Sequence, residues 1–302
     1  MSPLERRYRW LLRAYPRPYR EYRTDEILEI VLARTDEQQR PSLPESAALV
    51  AAGLRVRTGV DRLDTQALRR SALRLSALAL LILGVALHSG VLLYGLIAVA
   101  ARDWYNAPTW ESATIAPILT IGLTAAAWGK YRVAFGAVLT ALAGQYWLMN
   151  PSGPVLSVDA IWPAMDVRFL SPLLASLALL PLLRAPRASV AKPWIWLILG
   201  SLAVFVLAPN PLTGGHPAPV LMSLYVFAAL AIVAAPIDPR MPIVALALIL
   251  PSALALTVAH LLRATALSET LYAPLSTTLI LAAIMAGTLT ASTLTSRRHL
   301  RI

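Results

Sequence analysis

The chain has no cysteine, only four histidines, and charged residues make up just 14% of its 302 positions. Missing thiols exclude structural disulfides, thiolate metal sites and a cysteine nucleophile together. His88, His216, His260 and His299 are spread too widely to read as a ligand cluster, and no His-Glu-x-x-His pair occurs. There is no glycine-rich loop ending in Gly-Lys-Ser/Thr, so a permease of the ATP-driven kind would need a separate motor subunit. A Gly-x-Ser-x-Gly nucleophile elbow is absent too. No catalytic set, metal site or cofactor is therefore expected. A secretory signal is not expected either, because the first apolar block long enough to serve begins only near Leu75.

What the chain has in place of charge is apolar length. Hydrophobic residues reach 57% and mean hydropathy is +0.62, outside the mix of a soluble globular domain. From Leu75 onward the apolar blocks run over 75–100, 112–128, 132–149, 167–183, 194–208, 220–237, 241–262 and 274–293. This pattern predicts an all-α, polytopic membrane helix bundle of about eight spans. Residues 1–74 would form a small N-terminal cytosolic helical module, and 75–302 the membrane domain. Blocks 112–128 and 194–208 are short for a hydrocarbon core that needs about 20 residues, so each is the place where the count could change. The first block is long enough that it must tilt or project beyond the bilayer.

Charge distribution orients the bundle. The formal net charge is +11, and residues 1–74 hold 15 of the 27 Lys and Arg along with 10 of the 16 Asp and Glu. Alternating crossings place Lys130, Arg132, Arg184, Arg187, Lys192, Arg240, Arg297, Arg298 and Arg301 on the side of the basic N-terminus, against Arg102, Arg168 and Arg263 on the other. The positive-inside bias then predicts both termini on the cytoplasmic face of the cell inner membrane. Trp104, Trp110, Trp128, Tyr131, Trp147, Trp162, Trp194 and Trp196 fall at or near block ends, where amphipathic rings prefer the headgroup level. Arg69, Arg70 and Arg74, just before the first crossing, are the expected phospholipid headgroup contacts. The basic surplus does not imply nucleic acid, since arginine interleaved with carboxylates on amphipathic helices is the ordinary solvated face.

The N-terminal module should contain three helices. Leu4, Tyr8, Leu11, Leu12 and Tyr15 recur at helical spacing until Pro16 and Pro18 end or bend that helix. A second helix continues to about Arg34 with Ile27, Leu28, Ile30 and Val31 as its apolar set. Ser42-Leu43-Pro44-Glu45 has the spacing of a capping box, so a third should begin there, burying Ala47, Val50, Ala51 and Leu54. So small a core is expected to lean on the membrane domain or on a partner.

The run Leu11-Leu12-Arg13-Ala14-Tyr15-Pro16-Arg17-Pro18-Tyr19-Arg20, followed by Glu26-Ile27-Leu28, Arg40-Pro41-Ser42-Leu43 and Leu54-Arg55, resembles the helical cytosolic prefix of uncharacterised actinobacterial multi-pass membrane proteins, some with permease-like membrane domains. The likeness covers residues 4–57; where that pattern often has Gly-Glu-Glu-Met, this chain has Thr24-Asp25-Glu26-Ile27. The resemblance implies a location and a module type, and transfers no activity.

Few polar residues fall inside the blocks. His88 and Gln145 form the candidate intramembrane polar site, to be weighed against plain bonding between helices. Gly136, Thr140 and Gly144 share a face suited to close helix approach, and Pro172, Pro181 and Pro251 would kink their helices. Asp159, Asp166, Arg168 and His216 form a candidate outer-face cluster, against the plain alternative of hydrated loop charges with Arg168 snorkelling. Three classes of function follow. The first is a non-enzymatic membrane protein that binds a cytosolic partner through residues 1–60 or couples to a signal. The second is a transporter or permease subunit, and the third an enzyme acting on a lipid-linked substrate. The lipid bilayer is the one partner expected in all three, while oligomeric state is left open.

Overall fold

The computed structural model describes residues 2–33, 41–58, 65–100, 102, 110–149, 167–185, 234–235, 237–238 and 240–264, with the single positions Ala283, Ala286, Gly287 and Thr290. All regular structure among them is helical. In chain order the helices are α1 (Pro3–Leu11), α2 (Arg17–Ala33), α3 (Leu43–Thr58), α4 (Thr65–Ala100), α5 (Trp110–Ala127), α6 (Tyr131–Met149), α7 (Val167–Leu179) and α8 (Met241–Ala264). Short 3₁₀ turns follow α1 at Leu12–Ala14 and α7 at Leu180–Leu182. The block expected at 194–208, residues 220–233 of the block expected at 220–237 and, apart from the single positions, the block at 274–293 lie outside the described residues.

Helices α1 to α3 share one small core built on Tyr8, Leu11, Leu12, Tyr15, Leu28 and Val31. Serine starts two of them: Ser2 accepts from the Glu5 backbone amide at 3.0 Å and Ser42 from that of Glu45 at 3.3 Å, each satisfying a donor the first helical turn leaves open. The reciprocal half of the box at Ser42 is diverted, because the Glu45 carboxylate accepts from the Tyr8 hydroxyl at 3.0 Å and ties α3 to α1. Two expectations need correction. Ile30 is 52% exposed rather than buried. Ala47 is exposed as well, and α3 turns Leu49, Val50, Ala52, Gly53 and Val56 inward. The reason is steric, since a methyl group at Gly53 would meet Tyr15 Cδ2 at 2.8 Å and the Ala14 carbonyl carbon at 2.9 Å. The one residue of that face without a side chain, Gly53, fits against Tyr15.

The second core joins α4, α5, α6 and α7, with α8 added against α4 and α7. In it α4 touches α5 and α7, while α6 touches the same two, leaving α4 and α6 across the diagonal. Ala77, Ala116, Ala126, Ala134, Ala141 and Ala175 are all within 4% of complete burial, and Gly84 and Gly122 sit against α7 and α6. Small residues bring the backbones close. The α5–α6 reversal needs only three residues: the Lys130 amide reaches the Ala125 carbonyl at 2.8 Å and the Gly129 amide that of Ala126 at 3.0 Å, with Gly129 at φ 72°. That paired pattern is a Schellman ending, which uses glycine because a Cβ is strained at positive φ.

One helix is long and apolar enough to cross a membrane among the described residues, Gln66–Ile97; shorter apolar stretches are Ala113–Ala127, Arg168–Leu182 and Met241–Pro251. Helix α4 begins ten residues before the expected first block, so the boundary drawn at residue 74 falls inside it. Gly136 also differs from expectation. It has nothing within 4 Å of an added Cβ, Thr140 is exposed, and only Gly144 approaches a neighbour, at Ile115. A second close α5–α6 contact is at Gly122, opposite Ala137 and Val138.

Candidate functional site

Three contacts define one end of the bundle. Arg240, just before α8, donates from Nη1 to Ser71 Oγ at 2.8 Å near the start of α4. Arg74, one turn further, lies within electrostatic reach of Tyr131 at the start of α6. The turn after α7 packs on α4, with Leu182 in the shared core. The N-terminal ends of α4, α6 and α8 therefore lie together with the C-terminal ends of α5 and α7. Arg69, Arg70, Arg74, Lys130, Arg132, Arg184 and Arg240 collect there.

Arg240 is the best-anchored of these cations. Its Nε donates to Asp238 Oδ1 at 2.8 Å and its Nη2 to Oδ2 at 2.6 Å, while the Arg240 backbone amide also donates to Oδ1 at 3.0 Å. Asp238 is 2% exposed and Arg240 8%. This side-on pairing satisfies both buried charges, the condition for an ion pair to survive away from water. Ser71 uses the remaining nitrogen to fix α8 to α4. In the sequence Arg240 stands out only as a loop charge and Asp238 not at all; the spacing Asp-Pro-Arg before an apolar run is the one sign of the pair.

The three expected headgroup arginines separate. Arg69 and Arg70 are exposed, whereas Arg74 is half-buried with its Nε and Nη2 shut away from solvent. Lys130 Nζ lies 5.8 Å from the centroid of the Trp128 ring, a cation–π contact at the same end. Trp128 and Trp147 are outward at 62% and 65% exposure, as ring-at-the-boundary placement requires, but Tyr131 turns inward at 5% and packs in the core.

His88 and Gln145 are both interior. His88 is 2% exposed, and its Nδ1 lies 2.9 Å from the Gly84 carbonyl one turn back on α4; a carbonyl only accepts, so Nδ1 carries the proton in that contact. Gln145 is fully buried, and neither its amide oxygen nor its amide nitrogen has a hydrogen-bond partner. Each residue is 14 positions beyond the Arg74–Tyr131 level, about 21 Å at the α-helical rise. They occupy one layer on the two diagonal helices. Ser171 Oγ, also fully buried and unbonded, is nearer Gly84, a turn closer to the basic end.

Of the outer-face candidates, Asp159, Asp166 and His216 lie outside the described residues. Arg168 is described, in the first turn of α7 at the end opposite Arg74. Among the described residues no three His, Asp or Glu side chains converge as a metal site. In the N-terminal module a cavity of about 360 Å³ opens between Arg6, Arg7, Trp10, Leu11, Pro41 and Ser46. No family model, curated protein or solved structure matches the chain.

Proposed function

We propose that this is a multi-pass membrane protein of about eight spans, non-enzymatic, whose N-terminal helices present a cytosolic binding surface. The observation that carries the membrane part is an inside-out distribution of polarity. Ile121, Val133, Leu139, Leu177 and Leu180 are outward on α5, α6 and the α7 segment, while Gln145, His88, Ser171 and Ser176 are interior. Outward hydroxyls are tied back to their own helices: Thr120 to the Ala116 carbonyl at 2.8 Å, Thr124 to those of Thr120 and Ile121, Thr140 to that of Gly136. A surface facing lipid must satisfy its polar atoms internally, and one facing water has no such need.

Two further features fit. The cations gathered at the Arg74 end outnumber those at the other, where the described ones are Arg102, Arg168 and Arg263, as the positive-inside bias demands. Helix α4, at 36 residues, extends about 54 Å, so its first turns would project past a core of about 30 Å and hold Arg69 and Arg70 at headgroup level. Since α8 runs parallel to α4, an even number of crossings between α7 and α8 fits, and blocks 194–208 and 220–237 supply two. Carbonate-washed membranes should retain the protein, and reporter fusions should find both termini inside; a polypeptide that stays dissolved without detergent ends this reading.

Partner binding rests on the N-terminal module. Its core draws only on residues 4–56, and the cavity between Arg6, Arg7 and the 65%-exposed Trp10 offers cations beside an aromatic face. A segment combining acidic and apolar side chains suits that chemistry. Deleting residues 1–58 should leave an inserted bundle that no longer retains such a partner. Transport is the second reading, favoured by the unbonded Gln145 amide and by Pro172 and Pro251 within α7 and α8. Solute flux in proteoliposomes that changes with Gln145→Leu would support it.

A further inference from the structure

We infer that Arg74 is an oxyanion site built for one phosphate group at the basic end of the bundle. Its Nε and Nη2 are both buried and both without a hydrogen-bond partner. Those two N–H groups lie along one edge of the planar guanidinium, the edge that grips two oxygens of a single acid group. The same protein displays that grip in its filled form, where Arg240 Nε and Nη2 hold the two oxygens of Asp238 at 2.8 and 2.6 Å. Arg74 presents the same Nε–Nη2 edge, buried and without an acceptor from the protein.

Asp238 is consumed by Arg240, which contacts it through three nitrogens. The guanidinium keeps its charge, and two N–H groups shut from solvent on a half-buried side chain cost free energy while they have no acceptor. Among the described residues no other carboxylate stands at this end to accept from Arg74, and an anion from outside the chain would satisfy both N–H groups. Arg70, one turn earlier on the same helix, and Lys130 and Arg132 beside Tyr131 are exposed cations that would draw an anion toward this end. Tyr131 lies within electrostatic reach on α6. A phosphodiester of an anionic lipid headgroup and a free phosphate share this chemistry. The lipid form rests on the membrane reading above; the oxyanion site itself does not.

The test uses the full-length chain, purified and stripped of lipid, titrated with phosphatidylglycerol, phosphatidylcholine or inorganic phosphate and followed by native mass spectrometry and thermal unfolding. Phosphatidylglycerol should bind and raise the unfolding temperature, with phosphatidylcholine weaker. Arg74→Gln should weaken that binding about tenfold, the scale of one charge-assisted hydrogen bond. Arg74→Lys should lose most of it as well, because an ammonium keeps the charge but has no fork, and this variant carries the test if Arg74→Gln does not fold. Arg17→Gln, on an exposed side chain of α2 away from the bundle's basic end, should bind as the unaltered protein does. Phosphate binding with the same dependence on Arg74, and no lipid binding, would keep the site and assign it to a soluble anion. Binding of every probe unchanged in both Arg74 variants, or none in the unaltered protein, would overturn it. Should the chain prove soluble without detergent, the membrane reading fails and the inorganic phosphate titration still decides the site.

Discussion

Arg240 and Ser71, 169 residues apart in sequence, meet through a hydrogen bond of 2.8 Å that fastens the start of α8 to the start of α4. The bond depends on Asp238, which holds the guanidinium from the other side and, by accepting from the Arg240 amide, also begins the turn into α8. Removing one partner leaves a buried charge without its counterion. Arg240→Ala or Asp238→Ala should cost about 3–5 kcal/mol, whereas replacing both by apolar residues of similar volume should cost far less. Ser71→Ala should cost about 1.5–3 kcal/mol, the worth of a hydrogen bond to a charged group. Thermal unfolding of the single and double variants in one detergent measures the coupling; strict additivity of Arg240→Ala and Asp238→Ala would contradict it.

Gln145 makes the opposite prediction. A buried amide with neither atom bonded carries a desolvation cost that an apolar side chain of similar shape avoids. Gln145→Leu should therefore stabilise the bundle by about 1–3 kcal/mol. A loss of stability instead would mean the amide is satisfied by a bound polar molecule, and would move weight to the transport reading. Chemical or thermal unfolding of the purified variant reads the sign directly.

Gly53 faces Tyr15 and Ala14 at distances that no Cβ tolerates. Gly53→Ala should push α3 away from the 3₁₀ turn and cost the N-terminal module about 1–3 kcal/mol, the usual scale of overpacking. Hydrogen exchange on the full chain should show α1 to α3 losing protection while α4 to α7 keep theirs, because the two cores share no residue.

Tyr15 stacks on Tyr19 with ring centroids 5.2 Å apart, and its phenol is held above the ordinary value of 10.0, first by burial and then by the neighbouring Tyr19 phenol. Folding thus favours the protonated form, so this contribution is complete below pH 10 and declines as the pH climbs through the higher native value. Tyr15→Phe should remove part of the alkaline loss of helicity, followed by circular dichroism as the pH rises above 10. An identical alkaline transition in the variant would exclude Tyr15 as its source.

Local patterns were legible where one residue type does one job. The recurrence of Tyr8, Leu11, Leu12 and Tyr15, the break at Pro16, and the serine at the start of α3 each rest on chemistry within a few residues, and all appear in the fold. Apolar blocks at 112–128, 132–149, 167–183 and 241–262 likewise coincide with α5 to α8. Facing was harder. Gly53 and Gly84 carry no hydrophobic signal yet mark close approaches, while of the packing motif Gly144 meets Ile115 and Gly136 has no neighbour. Glycine spacing states where a helix could approach, and only the partner's surface states where it does.

The amino-acid sequence by itself determined that the chain is helical, where five apolar helices run, and that arginine gathers at alternate block ends, because hydrophobic length and charge are properties of short stretches. Tertiary structure alone decided that Asp238 and Ser71 share Arg240 and that Arg74 buries Nε and Nη2 without an acceptor from the protein. Those depend on which helix ends meet across long separations, and on a guanidinium's two edges being distinguishable only when their surroundings are known.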